Sequence, residues 1–157
     1  MNLIFKKNNS LSKIIYINIL FFIITQLHIA YNRLNNNLEH KEIYDILGAS
    51  SSLKELIYEP WTIMTHMFTH VEYVHFFINM FFLYFFGKIF LIFIEEKKLI
   101  LFYIFGGLSG LFFFLITSNL FEVLNQNIIY GASAATFSIM SASAILEPKY
   151  KISIPVI

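Results

Sequence analysis

The feature that most constrains this fold is a set of long apolar stretches, two of which carry no charged residue. Residues 99–116 and 128–146 lack Asp, Glu, Lys and Arg, and residues 13–32 and 70–94 hold very few of them. A helix needs about 20 apolar residues to cross the hydrocarbon core of a bilayer. Backbone groups at that depth must be satisfied within the segment, which favours helices. The sequence therefore predicts an all-α, polytopic transmembrane helical bundle with four spans at these positions.

Composition supports a single membrane domain covering residues 1–157. The chain is 57% hydrophobic and 13% charged, and its mean hydropathy is +0.66. Soluble domains carry about 25% charged residues. The net charge of +1 gives no basic surface for nucleic acid, and the absence of cysteine excludes disulfides and thiolate chemistry. We expect the lipid bilayer as a partner and no nucleic acid.

The distribution of basic residues predicts an orientation, because Lys and Arg concentrate on the cytoplasmic side. One side of the predicted spans has seven basic residues: Lys6, Lys7, Lys13, Lys97, Lys98, Lys149 and Lys151. The other side has three, all in the loop 33–65. The N-terminus is therefore predicted to be cytoplasmic. No small-residue cleavage site follows the first apolar stretch, which favours an uncleaved span over a signal peptide. With no apparent transit peptide, we expect a bacterial inner membrane.

The extramembrane loop 33–65 is longer than a connector requires. Its apolar residues at 43–47 suit a short interfacial helix that ends at Gly48. Trp61 follows Pro60 where the chain returns to the membrane, and Trp is favoured at that interface.

One serine lies among small residues at the start of the last apolar stretch. Gly131, Ala132 and Ala134 flank Ser133 and leave room for close backbone approach. If Ser133 begins a helix, free N–H groups and the positive end of the helix dipole would face an anion formed there. The same residues also suit helix packing, since small residues four apart are a common transmembrane contact. The serine motif alone leaves both interpretations open.

Histidines and an asparagine cluster around the start of the second predicted span. His75 and Asn79 are four apart and share a helix face. Polar groups at membrane depth usually have a function, and this pair could donate hydrogen bonds to a developing negative charge or join two helices. His66 and His70 are also four apart, as metal ligands can be, although the adjacent Glu of a zinc protease motif is missing. A hydrogen-bonded pair at the membrane boundary is the other interpretation.

The third predicted span contains the glycines Gly106, Gly107 and Gly110. No strand precedes them, as a phosphate-binding loop would require. They predict close approach of a neighbouring helix.

Taken in order, these residues resemble the rhomboid family of intramembrane serine proteases. The matching residues are Trp61, Thr65, His66, His70, His75, Asn79, Gly87 and the run Gly131-Ala132-Ser133-Ala134. The resemblance implies a serine endopeptidase that cleaves transmembrane segments of other membrane proteins, without cofactor or metal. It implies Ser133 as nucleophile, and His75 and Asn79 as the oxyanion hole. His66, His70 and Gly131 would be structural near the site, and Phe137 would pack on the catalytic histidine.

The sequence departs from the family pattern at four points. Ala134 replaces the final Gly of Gly-x-Ser-Gly, Thr62 replaces the Arg after Trp61, and Leu91 replaces a Glu in the second span. Family members typically have six spans with the general-base histidine on the sixth, whereas no histidine follows Ser133 here. We therefore expect four of the six spans, a chain that stops before the catalytic-histidine helix, and no activity from residues 1–157 alone.

Two other functions remain open at this stage. A pseudoprotease would bind membrane-protein segments without cutting them, and the missing base, Thr62 and Leu91 would be its signs. A small metal-binding membrane protein would use His66, His70 and His75.

Overall fold

A computed structural model describes residues 9–35, 42–120 and 127–146. Helices dominate these residues, and two short strands form one antiparallel pair. In chain order the elements are α1 (Asn9–Leu34), α2 (Ile43–Leu47), β1 (Ala49–Ser50), α3 (Leu53–Tyr58), α4 (Thr62–Thr65), a 3₁₀ turn (His66–Phe68), α5 (Tyr73–Phe93), α6 (Glu96–Leu120), β2 (Ile128–Ile129) and α7 (Ser133–Leu146).

Three helices, α1, α5 and α6, are long and apolar enough to cross a membrane, and α7 is a shorter apolar helix. The predicted all-α membrane bundle is confirmed. The predicted span 128–146 corresponds to only 14 helical residues, because its first residues form β2 and a turn at Gly131. At 1.5 Å per residue, α7 extends only about 21 Å.

Small residues bring α7 against α6. A Cβ atom placed on Gly110 would lie 2.4 Å from the Cβ of Ala134, and one on Gly106 would lie 2.6 Å from the Cβ of Ser138. Real Cβ atoms do not approach so closely, so only glycine fits at either position. The predicted packing role of these glycines is confirmed, and the Ser138 hydroxyl reinforces the contact by donating to the carbonyl of Phe102 at 2.7 Å.

α7 also packs along α5, and the two helices run parallel. Gly131, just before α7, lies beside His75 in the first turn of α5. Further along, the Ser143 hydroxyl donates to the carbonyl of Phe86 at 3.1 Å. Early residues of α7 thus contact early residues of α5, and later residues contact later ones. The start of α7 therefore lies beside the start of α5. Residues at those two starts therefore share one end of the bundle.

A buried hydrogen-bond centre ties α1 and α6 to the 3₁₀ turn. The hydroxyl of the buried Tyr103 donates to the Met67 carbonyl at 2.9 Å, and it accepts from the Asn18 side-chain amide at 3.0 Å. Tyr103 is 1% exposed and Asn18 is fully buried. Each polar atom is thus satisfied within the bundle, as burial in an apolar interior requires.

The loop between α1 and α5 is fastened to the chain that enters α7. β1 pairs with β2 so that Ala49 lies opposite Ile129. Within the loop, the Trp61 indole N–H donates to the Ile46 carbonyl at 2.8 Å, and the Thr65 hydroxyl donates to the Leu47 carbonyl at 2.6 Å. The predicted interfacial segment 43–47 is the helix α2, with Gly48 at its C-terminus.

Candidate functional site

Ser133 is the first residue of α7, and its local geometry is set by the glycine two residues earlier. Gly131 has φ +113°, in a region that L residues rarely adopt, and its N–H donates to the His66 carbonyl at 2.8 Å. This conformation turns the chain from strand β2 into the helix. The first intrahelical bond runs from the Thr136 N–H to the Ala132 carbonyl, at 2.8 Å. The N–H groups of residues 133–135 therefore have no acceptor within the helix and could stabilise an anion.

The Ser133 side chain is exposed and opens into a groove between α6 and α7. The groove has a volume of about 960 Å³. Its lining is mostly apolar and includes Phe102, Phe105, Gly110, Phe113, Ala134 and Phe137. Among the residues that the structure describes, none forms a hydrogen bond with the Ser133 hydroxyl, which is therefore accessible from the groove.

Two buried histidines hold the turn before Ser133. The Nε2 atom of His70 accepts the N–H of Ala132 at 3.2 Å, so its proton lies on Nδ1, which faces the Phe68 carbonyl at 3.2 Å. The Nδ1 atom of His66 contacts the Thr62 carbonyl at 3.0 Å. His66 and His70 are 2% and 0% exposed. The structural roles that the resemblance implies for both residues stay a prediction.

Burial makes both histidines poor bases. It lowers the pKa of His66, and burial, helped by the nearby His75, lowers the pKa of His70 to about 4. A neutral His70 is required by its geometry, because protonated Nε2 could not accept the Ala132 N–H. Neither residue is suited to take the Ser133 proton, since both already use ring nitrogens to hold the backbone.

The depressed pKa of His70 predicts a loss of stability in acid. In the unfolded chain His70 takes up a proton below pH 6.5, whereas the folded chain excludes that proton until about pH 4. The free energy of unfolding should therefore fall by up to ~3 kcal/mol as the pH drops through this window. Reversible unfolding in detergent micelles at several pH values measures this change.

The variant His70→Gln is the control for that prediction. It should be less stable at pH 7 and should also lose this share of the pH dependence, because Gln does not titrate. Equal slopes of stability against pH in the two proteins would contradict the assignment to His70.

His75 lies directly against the turn. A Cβ placed on Gly131 would be 2.5 Å from Cε1 and 3.0 Å from Nε2 of the His75 ring, so these atoms face the turn. The His75 and His70 rings meet edge to face with centroids 5.3 Å apart. His75 is one-third exposed, unlike His66 and His70. Among the described histidines, His75 is thus the one that lies both next to the serine turn and open to its surroundings.

Asn79 lies one helical turn below His75 and is buried. Its side-chain amide donates to the carbonyl of His75 at 2.9 Å. Asn79 is 5% exposed. In this arrangement one N–H of the carboxamide is bound to its own helix, and the second N–H remains as the donor that could serve an anion.

Phe137 faces the groove, and its contact with a catalytic histidine stays a prediction, because no histidine follows Ser133 in the sequence. It is 62% exposed and lines the groove beside Ser133. It makes no ring contact with another aromatic side chain in the described part of the chain. The Phe137 ring, one helical turn after Ser133, therefore forms part of the groove wall.

The sequence analysis missed two residues that adjoin the site. Glu72, the residue before α5, has one carboxylate oxygen 3.6 Å from Nδ1 of His75. Its other oxygen accepts the Tyr130 hydroxyl at 3.2 Å. The spacing of three between Glu72 and His75 was the available signal, since such residues are neighbours on a helix. Nothing local in the sequence points to Tyr130.

The metal-binding interpretation finds little support in this geometry. His66 and His70 use ring nitrogens to bind the backbone, as described above. Among residues 9–35, 42–120 and 127–146, no three His, Asp or Glu side chains form a group that could hold a metal ion.

Comparison with known proteins gives one match. The family model described as Rhomboid domain matches residues 58–157, more than half of the chain. The matched region includes the serine turn, the groove, and the residues His66, His70, His75 and Asn79. No curated protein and no solved structure gave a significant match.

Proposed function

Since the chain belongs to the rhomboid family, we propose that it is the catalytic part of an intramembrane serine protease that cleaves transmembrane segments of other membrane proteins. Ser133 is the nucleophile in this proposal, and His75 and Asn79 supply donors to the oxyanion. The alternative within the same family is a pseudoprotease that binds such segments without cutting them. The experiment below separates the two.

The arrangement around Gly131 is the observation that carries the proposal. A single positive-φ residue places Ser133 at a helix N-terminus and at the same time packs against the His75 ring. A helix that only needed small residues for packing would not require a positive-φ turn against a histidine. The accessible hydroxyl and the groove beside it are the further features that a protease needs, because a substrate must reach the nucleophile.

The proposed chemistry is acyl transfer. The Ser133 hydroxyl attacks the scissile carbonyl, the C–N bond breaks, and the amine fragment leaves with the hydroxyl proton, which gives an ester of Ser133. Water later hydrolyses that ester to a carboxylic acid and restores the hydroxyl. Negative charge develops on the carbonyl oxygen in both steps. The N–H groups at the start of α7, with His75 and Asn79, are the donors that would stabilise it. A donor of this kind typically lowers the barrier by ~3–4 kcal/mol.

A serine hydroxyl needs a base to take its proton. None of the five histidines follows Ser133 in the sequence. The resemblance assigns the base to a later helix of the family fold. We propose that such a helix fills the groove between α6 and α7, whose lining includes Ser133 and Phe137.

The site would face the non-cytoplasmic side of a bacterial inner membrane. The proposal rests on the seven basic residues near the two termini and the α5–α6 connection, against three in the loop 33–65. Because α5 and α7 begin at the same end of the bundle, the serine turn then lies near the outer surface. Substrates would be cut close to that surface.

Labelling with a serine-directed phosphonate tests the proposal. We expect no labelling of residues 1–157 in detergent, and labelling of Ser133 when the chain is joined to a helix that carries the base. Mass spectrometry of the peptide identifies the modified residue. Ser138, on the same helix and in the same groove, is the internal control and should stay unmodified.

Two other outcomes of the labelling experiment would lead to different conclusions. Strong labelling of residues 1–157 alone would show that a residue within them, with His75 as first candidate, acts as the base. Absence of labelling in both forms, with retained binding of a transmembrane peptide, would favour the pseudoprotease.

A further inference from the structure

Glu72 occupies the position just before α5 but does not cap that helix. Its backbone is extended, with φ −86° and ψ 135°, and its side chain makes no capping hydrogen bond. An acidic residue at this position commonly binds the first N–H groups of the helix. The carboxylate of Glu72 instead lies between two side chains from different parts of the chain.

The first of these side chains is Tyr130, which directly precedes Gly131. Its hydroxyl donates to one oxygen of Glu72 at 3.2 Å, and its ring packs at 5.9 Å between centroids against Tyr44 of α2. Burial, with a further contribution from the Glu72 charge, raises the pKa of Tyr130, so the hydroxyl keeps its proton for this bond. Glu72 thereby holds the residue that leads into the serine turn.

The second side chain is His75, whose ring has its two nitrogens on different sides. Nδ1 lies 3.6 Å from the other oxygen of Glu72. Nε2 is nearer to the turn than Nδ1 is, at 3.0 Å against 3.6 Å from a Cβ placed on Gly131. The other titratable group against the ring is His70, which is neutral and fully engaged. Among the described residues, the Glu72 carboxylate is therefore the group that can determine which way the His75 ring faces and which nitrogen carries a proton.

We propose that Glu72 is a positioning residue that orients His75, holding Nδ1–H toward its carboxylate so that Nε2 faces the serine turn. With Nδ1 donating to the carboxylate, the ring can also donate from Nε2 only when both nitrogens carry a proton. This inference rests on the proposed function, because it explains how the Nε2 side of the His75 ring is aimed at the place where the oxyanion would form. Because it also accepts the Tyr130 hydroxyl, the same carboxylate fixes the position of the serine turn relative to the His75 ring.

Nitrogen NMR of the chain labelled with ¹⁵N-histidine tests the orientation without any need for activity. The signal of His75 is assigned by its loss in His75→Gln. In the wild type at pH 7 we expect Nδ1 to be protonated. In Glu72→Gln we expect the His75 signals to move toward the neutral Nε2–H tautomer. The control Glu55→Gln removes an exposed carboxylate of α3 and should leave the spectrum unchanged.

Kinetics of the catalytically complete protein provide the second readout. Glu72→Gln should reduce kcat about tenfold with little change in KM, as loss of a partner that orients a histidine typically does. Tyr130→Phe separates the two contacts, because it loosens the turn but leaves the carboxylate beside His75. We expect it to keep the wild-type histidine spectrum.

An unchanged His75 spectrum in Glu72→Gln would overturn the inference. This result is distinguishable from failure of the proposed function, which would appear as cleavage that survives loss of Ser133. If the spectrum shifts in Glu72→Gln and Ser133→Ala remains active, the Glu72–His75 pair exists and the protease assignment is wrong.

Discussion

Replacing Ser133 by alanine is expected to reduce cleavage of a transmembrane substrate by about 10⁴-fold or more, since loss of a serine nucleophile removes the covalent pathway. The fold should survive, because the Ser133 hydroxyl is exposed and is bonded to no described residue. The measurement is cleavage of a membrane-embedded reporter by the catalytically complete protein, followed by gel or mass spectrometry. Thermal unfolding in the same micelles shows whether the variant is folded.

Ser138→Ala is the matched control for this experiment. Ser138 lies on the same helix and lines the same groove, and its hydroxyl donates to the Phe102 carbonyl rather than facing a substrate. We expect this variant to lose some stability and to retain cleavage within a few-fold. If Ser133→Ala retained cleavage at the level of Ser138→Ala, Ser133 would not be the nucleophile.

Gly131→Ala should have the second-largest effect, because it disturbs the backbone and a contact at once. The residue has φ +113°, which costs about 1–2 kcal/mol for a residue with a Cβ atom. The new methyl group would also lie 2.5 Å from Cε1 of His75, and such overpacking typically costs about 1–3 kcal/mol. We expect the free energy of unfolding to fall by the sum of these terms and cleavage to be lost.

A double variant separates the two contributions. Gly131→Ala combined with His75→Ala removes the clash but keeps the backbone strain, so part of the lost stability should return. Cleavage should not return, since the proposed oxyanion donor is absent. Double-mutant analysis of unfolding measures the coupling. Strictly additive effects of the two changes would show that the methyl group and the imidazole do not meet.

The spans of the bundle could be predicted from hydropathy because bilayer burial acts on whole segments. The predicted stretches 13–32, 70–94 and 99–116 each contain most of a long helix in the structure. Helix ends were harder to place. The residues Glu96 to Lys98 were read as a connection between spans, yet α6 begins at Glu96, where an acidic residue favours the positive end of the dipole.

The start of α7 could not be predicted from the local sequence pattern. Ile128 and Ile129 look like the beginning of an apolar span, but they pair as a strand with Ala49 and Ser50, almost eighty residues earlier. Strand pairing over such a separation depends on the whole fold. Ser133 and Gly131 were recognised together, from the run of small residues Gly131-Ala132-Ser133-Ala134.

The contacts around the site could be predicted only in part. The spacing of four between His75 and Asn79 correctly placed them on one helix face. The Ala132 N–H donates to His70, which lies 62 residues earlier in the chain, and no local sequence pattern predicts such a bond. The same holds for the bond from Tyr130 to Glu72. Phe137 was assigned a partner by resemblance, and in the described residues it lines the open groove.

The close fit of Gly110 to Ala134 restricts the order in which this protein could exchange residues during evolution. Ala134 carries a methyl group that occupies the space left by the missing side chain of Gly110. A glycine at 134 would free that space, and only then could position 110 acquire a side chain. The reverse order passes through an intermediate with two methyl groups in one place. The alanine beside the serine and the glycine on α6 should therefore vary together across related sequences, with 134 changing first.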